Sequence, residues 1–250
     1  MRAWQTVKPG RPREALRLNE AADSPEPGPG SVQLEVIAAG IGLPDVLMCQ
    51  GSYALTPALP FTQGQEVVGR VIGWGDGVAD RELGERVMAV TSFFTGAGSF
   101  AEQCLGLDDF CMRVPDAMSD VEAAGFLIPF HTAYIALIAR GRLEPGENLL
   151  VIGGAGGTGQ AAIQLGKVLG ARVIATAGGS RRTDFCRALG ADHVSDHRSE
   201  DIAEAVMAAT EGRGADLVFD LSLIHISEPT RRYARGVSVG SVEKKKGGGG

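Results

Sequence analysis

Hydrophobic and polar positions change rhythm near residue 120. Before that point apolar residues come in short runs that alternate with polar ones. Residues 32–38 read V-Q-L-E-V-I-A, the period-two pattern of a half-buried strand. Residues 66–74 read E-V-V-G-R-V-I-G-W, a strand whose glycines predict bends or bulges. Residues 85–90 and 98–105 predict further short strands, and the Pro/Gly cluster at 25–30 predicts a turn feeding the first of them. Ser119 and Asp120 are suited to cap a helix that begins near Val121, and 132–138 is a second helical run. After a turn at 143–147, strands and helices alternate. The pattern predicts a strand before the glycines at 153–159, then helix 157–169, strand 172–177, helix 181–189, strand 193–195, helix 200–210 and strand 216–220. Such alternation argues for a parallel doubly wound sheet. Four of its strands fall before residue 220, where the full fold commonly has six.

The chemistry begins where the apolar run Leu149-Leu150-Val151-Ile152 ends in Gly153-Gly154-Ala155-Gly156-Gly157-Thr158-Gly159. Gly154, Gly156 and Gly159 fit G-x-G-x-x-G. In that pattern the first glycine serves a tight turn, the second lets backbone N–H groups approach a pyrophosphate, and the third lets the helix pack closely on the sheet. The helix N-terminus adds unpaired donors and a positive dipole end. An ordinary Gly-rich turn can produce the same letters. Here a strand precedes the cluster, a helix follows it, and a second strand lies at βαβ spacing. Gly154, Ala155, Gly156, Gly157, Thr158 and Gly159 are therefore candidate dinucleotide-binding residues.

The end of the next strand bears on which dinucleotide. Sites that prefer NADH place Asp or Glu about twenty residues beyond the glycines, on the ribose 2′-hydroxyl. This strand ends Thr176-Ala177-Gly178-Gly179-Ser180-Arg181-Arg182, without an acid. Ser180, Arg181 and Arg182 suit a 2′-phosphate, which a hydroxyl donor and guanidinium forks recognise well. The cofactor expected is NADPH. The competing reading makes both arginines solvated first-turn residues, since cations are not favoured at a helix N-terminus.

Charge and composition narrow the partners. The 250 residues carry 24 Lys+Arg and 30 Asp+Glu, a formal charge of -6. Residues 221–250 hold six of the bases and two of the acids, so residues 1–220 alone carry -10. An acidic chain argues against nonspecific nucleic-acid binding and against anionic membrane surfaces. No apolar run reaches transmembrane length, and no signal-peptide core follows Met1, so the expected location is cytoplasmic. Cys49, Cys104, Cys111 and Cys186 form no C-x-x-C pair, and separate reduced thiols are expected.

Residues 221–231, L-S-L-I-H-I-S-E-P-T-R, resemble a translated transposase-type sequencing-library adapter residue for residue. The lysines at 244–246 and the glycines at 247–250 then read as A-run and G-run codons. A genuine basic, glycine-rich flexible tail would have similar composition. On the adapter reading 221–250 is a disordered tail without functional content, and His225 carries no argument.

Residues 1–220 resemble the medium-chain dehydrogenase/reductase superfamily, in its zinc-free NADPH:quinone oxidoreductase-like branch. The resemblance rests on A-A-G-I-G-L-P-D (38–45), G-S-Y-A-L-T-P-A-L-P-F (51–61), G-Q-E-V-V-G (64–69), H-T-A-Y (131–134), L-E-P-G-E (143–147), the 153–159 glycines and A-L-G-A-D-H-V (188–194). It implies an α/β plus β architecture, with a GroES-like β domain over 1–120 followed by a Rossmann doubly wound parallel sheet over 121–220. That sheet is truncated, and the family's active site lies in the cleft between the two domains. Zinc-using relatives carry Cys where Gly42 stands and His where Gln65 stands, and their four-Cys structural loop has no counterpart here, so no metal is expected.

The implied activity is NADPH-dependent reduction of quinones or α,β-unsaturated carbonyls. Tyr53 is the candidate donor to an enolate-like oxygen, unless it is a buried loop tyrosine. Thr132 is the candidate neighbour of the nicotinamide, unless it only packs or caps its helix. Three positions depart from the branch. Gly42 replaces a frequent Asn, Thr183 a frequent Lys, and His197 a frequent Tyr. An enoyl-thioester reductase and a non-catalytic cofactor-binding relative are the alternatives. The branch implies a homodimer for the full-length protein, whereas the 250-residue chain on its own is expected to be inactive and poorly stable.

Overall fold

The structure is a computed structural model, and it describes residues 1–220 together with the backbone of 236–239 and 242–245. It divides into two compact units, 1–128 and 129–250. The described residues include no helix long and apolar enough to cross a membrane.

The first unit is built from strands. β1 (Ala3–Thr6), helix α1 (Pro12–Ala15) and β2 (Leu16–Asn19) come first, followed by β3 (Ser31–Ala39) and helix α2 (Leu43–Cys49). Then come β4 (Phe61–Thr62), β5 (Glu66–Trp74), β6 (Arg86–Thr91) and β7 (Gln103–Arg113), and helix α3 (Asp120–Ala124) closes the series. β3, β5, β6 and β7 form a closed antiparallel barrel, while β2, β1 and β4 make a separate three-stranded sheet. Alternation along β5 explains the layering. Val67 and Val71 point into the barrel core with Val32, Leu34, Val87 and Cys104. Val68, between them in sequence, joins Met88, Ala123, Ala124 and Leu127 in a second cluster under α3. β5 keeps the predicted bounds, and register shifts opposite it at Gln33/Leu34 and Val36/Ala38 are the bulges its glycines foretold. Gly69 lies so close to β3 that a side chain there would meet the Glu35 carbonyl at 2.6 Å.

The strand expected at 98–105 is corrected: β7 starts at Gln103 and continues to Arg113. Gly98 is instead pressed against the backbone of Gln63, where a Cβ would stand 2.3 Å from the carbonyl oxygen, and 97–101 makes only isolated bridges. At α3 the Ser119 hydroxyl accepts from the Glu122 N–H at 3.3 Å. Glu122 Oε2 accepts in return from the Ser119 N–H at 2.9 Å, so Ser119 caps as expected, Asp120 is the first residue of the helix, and the partner is Glu122, which the sequence reading did not name.

In the second unit, helix α4 (Leu127–Tyr134), which begins in the first unit, runs on into wide helical turns over Ile135–Arg140. There the Gly141 N–H reaches back five residues to the Ala136 carbonyl. β8 (Asn148–Ile152), α5 (Gly157–Val168), β9 (Arg172–Ala177), α6 (Ser180–Ala188), β10 (His193–Asp196), α7 (Ile202–Ala209) and β11 (Leu217–Asp220) then alternate. The parallel order is β10-β9-β8-β11, a doubly wound sheet. Both faces are covered. Leu149, Val151, Val173, Ala175, Leu217 and Phe219 face α5 and α6, whereas Leu150, Ile174 and Val218 face Val206 of α7. This is why each strand reads as a nearly continuous apolar run.

Most of the expected adapter-derived segment 221–250 lies outside the described residues. Within it, the backbone of β12 (Gly236–Val239) and β13 (Val242–Lys245) forms an antiparallel pair, and β13 lies antiparallel to β11. All four cysteines are buried and free.

Candidate dinucleotide site and buried carboxylates

In the second unit the chain leaves β8 through Gly153, whose φ of +72° is the left-handed turn of the loop. The turn thus falls one residue earlier than the G-x-G-x-x-G register assigns it. Gly154 is a packing glycine: a Cβ there would stand 3.0 Å from Ala175 Cβ, Cys186 Sγ and Ile163 Cδ1. The loop is laced to β9. The Gly154 N–H donates to the Thr176 carbonyl at 2.8 Å, and the Gly153 N–H to Thr176 Oγ1 at 3.2 Å.

The remaining glycines divide by their surroundings. Gly159 is buried, and a Cβ on it would meet the Gly153 carbonyl oxygen at 2.3 Å, so only glycine lets α5 approach the strand end. Gly156 and Gly157 are exposed, and a Cβ on Gly157 would meet nothing within 4 Å. Among the described residues no side chain caps the start of α5. Its first-turn N–H groups and positive end therefore face open space, the arrangement that receives a phosphate. Ala155 and Thr158 flank this opening. The residues fit a dinucleotide pyrophosphate.

At the end of β9, Ser180, Arg181 and Arg182 form the first turn of α6, with both arginines exposed. The neighbouring β10 is followed by His197, one of the three departures from the branch, and by Arg198, which the sequence reading did not single out. The Arg198 guanidinium and the His197 ring lie over Gly178, where a Cβ would come within 2.9 Å of Arg198 Nε and of His197 Nε2. Parallel pairing of β9 and β10 sets Ala177 beside Asp196, and this pairing carries Arg198 to the glycines. Asp196 Oδ2 accepts from the Gly179 N–H and Oδ1 from the Arg198 N–H, each at 3.0 Å. Those two backbone donors, followed by the nearby cationic side chains, hold the Asp196 carboxyl below the usual carboxylate range.

Thr132 is half-buried on α4.

In the first unit, Tyr53 is half-buried just after α2 and packs on Phe93, with ring centroids 6.4 Å apart. Beside α2 lies a buried polar set. Asp45 Oδ2 accepts from the Gly42 N–H at 2.8 Å, closing the helix start, while its Oδ1 is buried without a hydrogen-bond partner among the described residues. Glu66 is also buried, and its Oε2 accepts from the Ile128 N–H at 3.0 Å. Burial pushes the Asp45 carboxyl up. Burial also raises Glu66, to about 7, with the nearby Asp45 charge adding to the effect. Gln65 turns its amide toward Met48 Sδ at 3.6 Å, and Gly42 has no side chain to offer. Among the described residues no group of three or more His, Cys, Asp or Glu side chains is arranged to hold a metal ion.

Comparison with known proteins adds the lineage. Residues 28–116 match the alcohol dehydrogenase GroES-like domain, and 157–228 the zinc-binding dehydrogenase family. The chain is 37% identical over 217 residues to a phenolphthiocerol/phthiocerol polyketide synthase polypeptide of Mycobacterium tuberculosis, covering 86% of this chain and 10% of that one. It is 31% identical over 221 residues to the quinone oxidoreductase of Rattus norvegicus, covering 88% of this chain and 66% of the relative. A crystal structure of a probable oxidoreductase from Mycobacterium abscessus superposes with a TM-score of 0.81 at 36% identity, over 93% of this chain and 72% of that one. The chain thus spans about two thirds of the rat relative's length and a tenth of the synthase.

Proposed function

The chain belongs to the medium-chain dehydrogenase/reductase superfamily, in its quinone oxidoreductase-like branch, and from that premise we propose that the protein is an NADPH-dependent reductase of quinones or α,β-unsaturated carbonyls. The observation that carries the reading is the open, uncapped start of α5 behind the 153–159 glycines. The preference for NADPH draws support from residues 178–182, which offer no acid to a ribose 2′-hydroxyl.

When bound, the dinucleotide supplies a hydride from nicotinamide C4. The N–H groups of residues 157–159 would hold its pyrophosphate, and Thr132 is the candidate neighbour of its nicotinamide. Reduction of a conjugated carbonyl at carbon would place developing negative charge on its oxygen. The Tyr53 hydroxyl would stabilise that oxygen by a hydrogen bond and pass its proton to it; the tyrosinate so left would recover a proton from water, and an enol product would tautomerise to the saturated ketone. This route needs no zinc. Gly42 has no ligand atom and Gln65 only a neutral amide, so the Lewis acid of alcohol oxidation has no thiolate or imidazole to hold it at these positions.

A second reading, reduction of an enoyl thioester, is favoured by the 37% identity to a polyketide synthase polypeptide. NADPH binding followed by absorbance at 340 nm separates the readings. Turnover with a simple quinone or enone supports the first, and turnover with crotonyl thioester alone moves the assignment to the second. Binding without turnover of either leaves a cofactor-binding relative, and absence of dinucleotide binding removes all three.

A further inference from the structure

We propose that Arg198, at the end of β10, is the residue that selects NADPH over NADH by pairing with the adenosine 2′-phosphate, in place of Arg181 and Arg182. This rests on the dinucleotide reading above and names the group within that site that reads one phosphate.

The geometry is specific. An adenosine ribose bound beyond the glycine loop would meet the residues just past β9, here Gly178-Gly179. Neither residue projects a side chain. The Arg198 guanidinium stands over both: a Cβ on Gly178 would come within 2.9 Å of Nε, and one on Gly179 within 3.4 Å of Nη1. The fork is thus already stationed at the position a 2′-phosphate would take, with the His197 ring beside it. Its backbone is fixed by the Asp196 carboxylate, whose oxygens accept from the Gly179 and Arg198 N–H groups, and by the His197 N–H, which donates to the Ala177 carbonyl at 3.1 Å.

Asp196 is the acid at this corner that could instead read a ribose hydroxyl. Both of its oxygens are engaged in holding the corner, and the guanidinium next to it offsets its charge. Arg181 and Arg182 lie on the exposed first turn of α6, where the helix dipole disfavours cations, and nothing among the described residues fixes their side chains over the glycines. A planar guanidinium binds phosphate through two parallel N–H groups, and a lysine cannot reproduce that fork.

The test is binding, measured by calorimetry on the whole chain with NADPH, NADH, 2′,5′-ADP and 5′-AMP. Arg198→Ala is expected to weaken NADPH and 2′,5′-ADP by about tenfold or more and to change NADH and 5′-AMP by less than about threefold. Arg198→Lys recovers part of the loss. Arg181→Ala and Arg182→Ala change the NADPH/NADH ratio by less than about threefold. Gly178→Ala, which pushes the guanidinium aside, reproduces a weaker form of the Arg198→Ala effect. If NADPH binds tightly and Arg198→Ala leaves the ratio unchanged, the assignment to Arg198 is overturned while the NADPH reading stands. If the unsubstituted protein binds NADH as well as NADPH, or binds neither, the NADPH reading itself fails and takes this assignment with it.

Discussion

The carboxylate of Glu66, at the first position of β5, accepts a hydrogen bond from the backbone N–H of Ile128 at 3.0 Å, across 62 residues of chain. It ties the barrel to the segment where the first unit ends. Space for it exists because residue 40 is glycine: a Cβ there would meet Glu66 Oε1 at 2.5 Å and the Ala124 carbonyl oxygen at 2.4 Å. The acid is buried with one N–H donor in contact and a second buried carboxyl, Asp45, close by, so its neutral form is favoured in the folded protein.

A pH dependence of stability follows. Glu66 has a folded pKa of about 7 against an ordinary value of 4.5. Between these values the unfolded chain releases a proton that the folded chain keeps. The stabilising contribution is therefore fully present below 4.5, declines as pH rises, and is lost above about 7. The shift corresponds to roughly 3 kcal/mol, with Asp45 adding a smaller effect of the same sign. Glu66→Gln keeps an acceptor for Ile128 and removes the titration. Urea unfolding from about pH 5 to about pH 8.5 should show the wild type losing stability and the variant losing clearly less. Parallel curves would mean that the carboxyl is solvated and charged throughout.

The glycine loop offers a clean separation of packing from binding. Gly159→Ala places a methyl 2.3 Å from the Gly153 carbonyl oxygen, a backbone clash that no rotamer relieves. It should cost about 2 kcal/mol or more and abolish dinucleotide binding. Gly157→Ala meets nothing within 4 Å and sits at a helix position, so stability should hold or rise by up to about 1 kcal/mol. Its methyl enters the open space above the loop, and NADPH affinity should fall by about tenfold. A thermal melt paired with a binding isotherm reads both. Gly157→Ala binding like the wild type would place the pyrophosphate elsewhere.

How far the sequence could be read depends on whether the determining contact is local. The whole βαβ run was legible, because two-sided burial writes itself into residues 149–151 and 173–175 as apolar runs. The cap at Ser119 was legible because a hydroxyl residue stands directly before the helical run, a local signal, though its partner Glu122 was not named. β1 and β2 were not, since each is four residues long and shows no sustained alternation of buried and exposed positions. The position of Arg198 over Gly178 depends on β9 and β10 pairing in parallel across about twenty residues, and no local pattern marks it. The role of Gly153 was missed for a different reason. Motif register counts letters, whereas the positive φ is decided by where the strand stops.

Gly42 occupies a position where the branch frequently has asparagine, and the structure has room for one. A Cβ at Gly42 would lie 3.2 Å from Pro44 Cδ and 3.8 Å from Asp45 Oδ2, tight but relieved by a shift of a few tenths of an ångström. The backbone is extended there, with φ -125° and ψ 173°, so no left-handed strain opposes a side chain. Asparagine is also a favoured residue at the start of a helix such as α2. Gly42→Asn should fold with stability within about 1 kcal/mol of the wild type. If that amide helps to position the substrate, KM for quinones should fall while NADPH affinity stays constant. Loss of the folded state would show that the Gly42 N–H bond to Asp45 tolerates no neighbour.

Tyr53 is the residue on which the chemical proposal depends most directly. Its ring is held by contact with Phe93 and by the cluster of Met48 and Phe61, so removing the hydroxyl leaves the packing intact. Tyr53→Phe should therefore keep the melting temperature within a few degrees. The substitution removes none of the dinucleotide-binding candidates, so NADPH affinity should also hold. What should change is kcat. A hydrogen-bond donor aimed at a developing oxyanion is worth about 10²–10³ in rate, whereas a tyrosine that only lines a loop is worth almost nothing once its ring is retained. A fall in kcat of about a hundredfold at constant NADPH affinity identifies the donor. Wild-type turnover in Tyr53→Phe moves proton delivery to another group or to water, and Tyr53 then counts only as part of the Phe93 cluster.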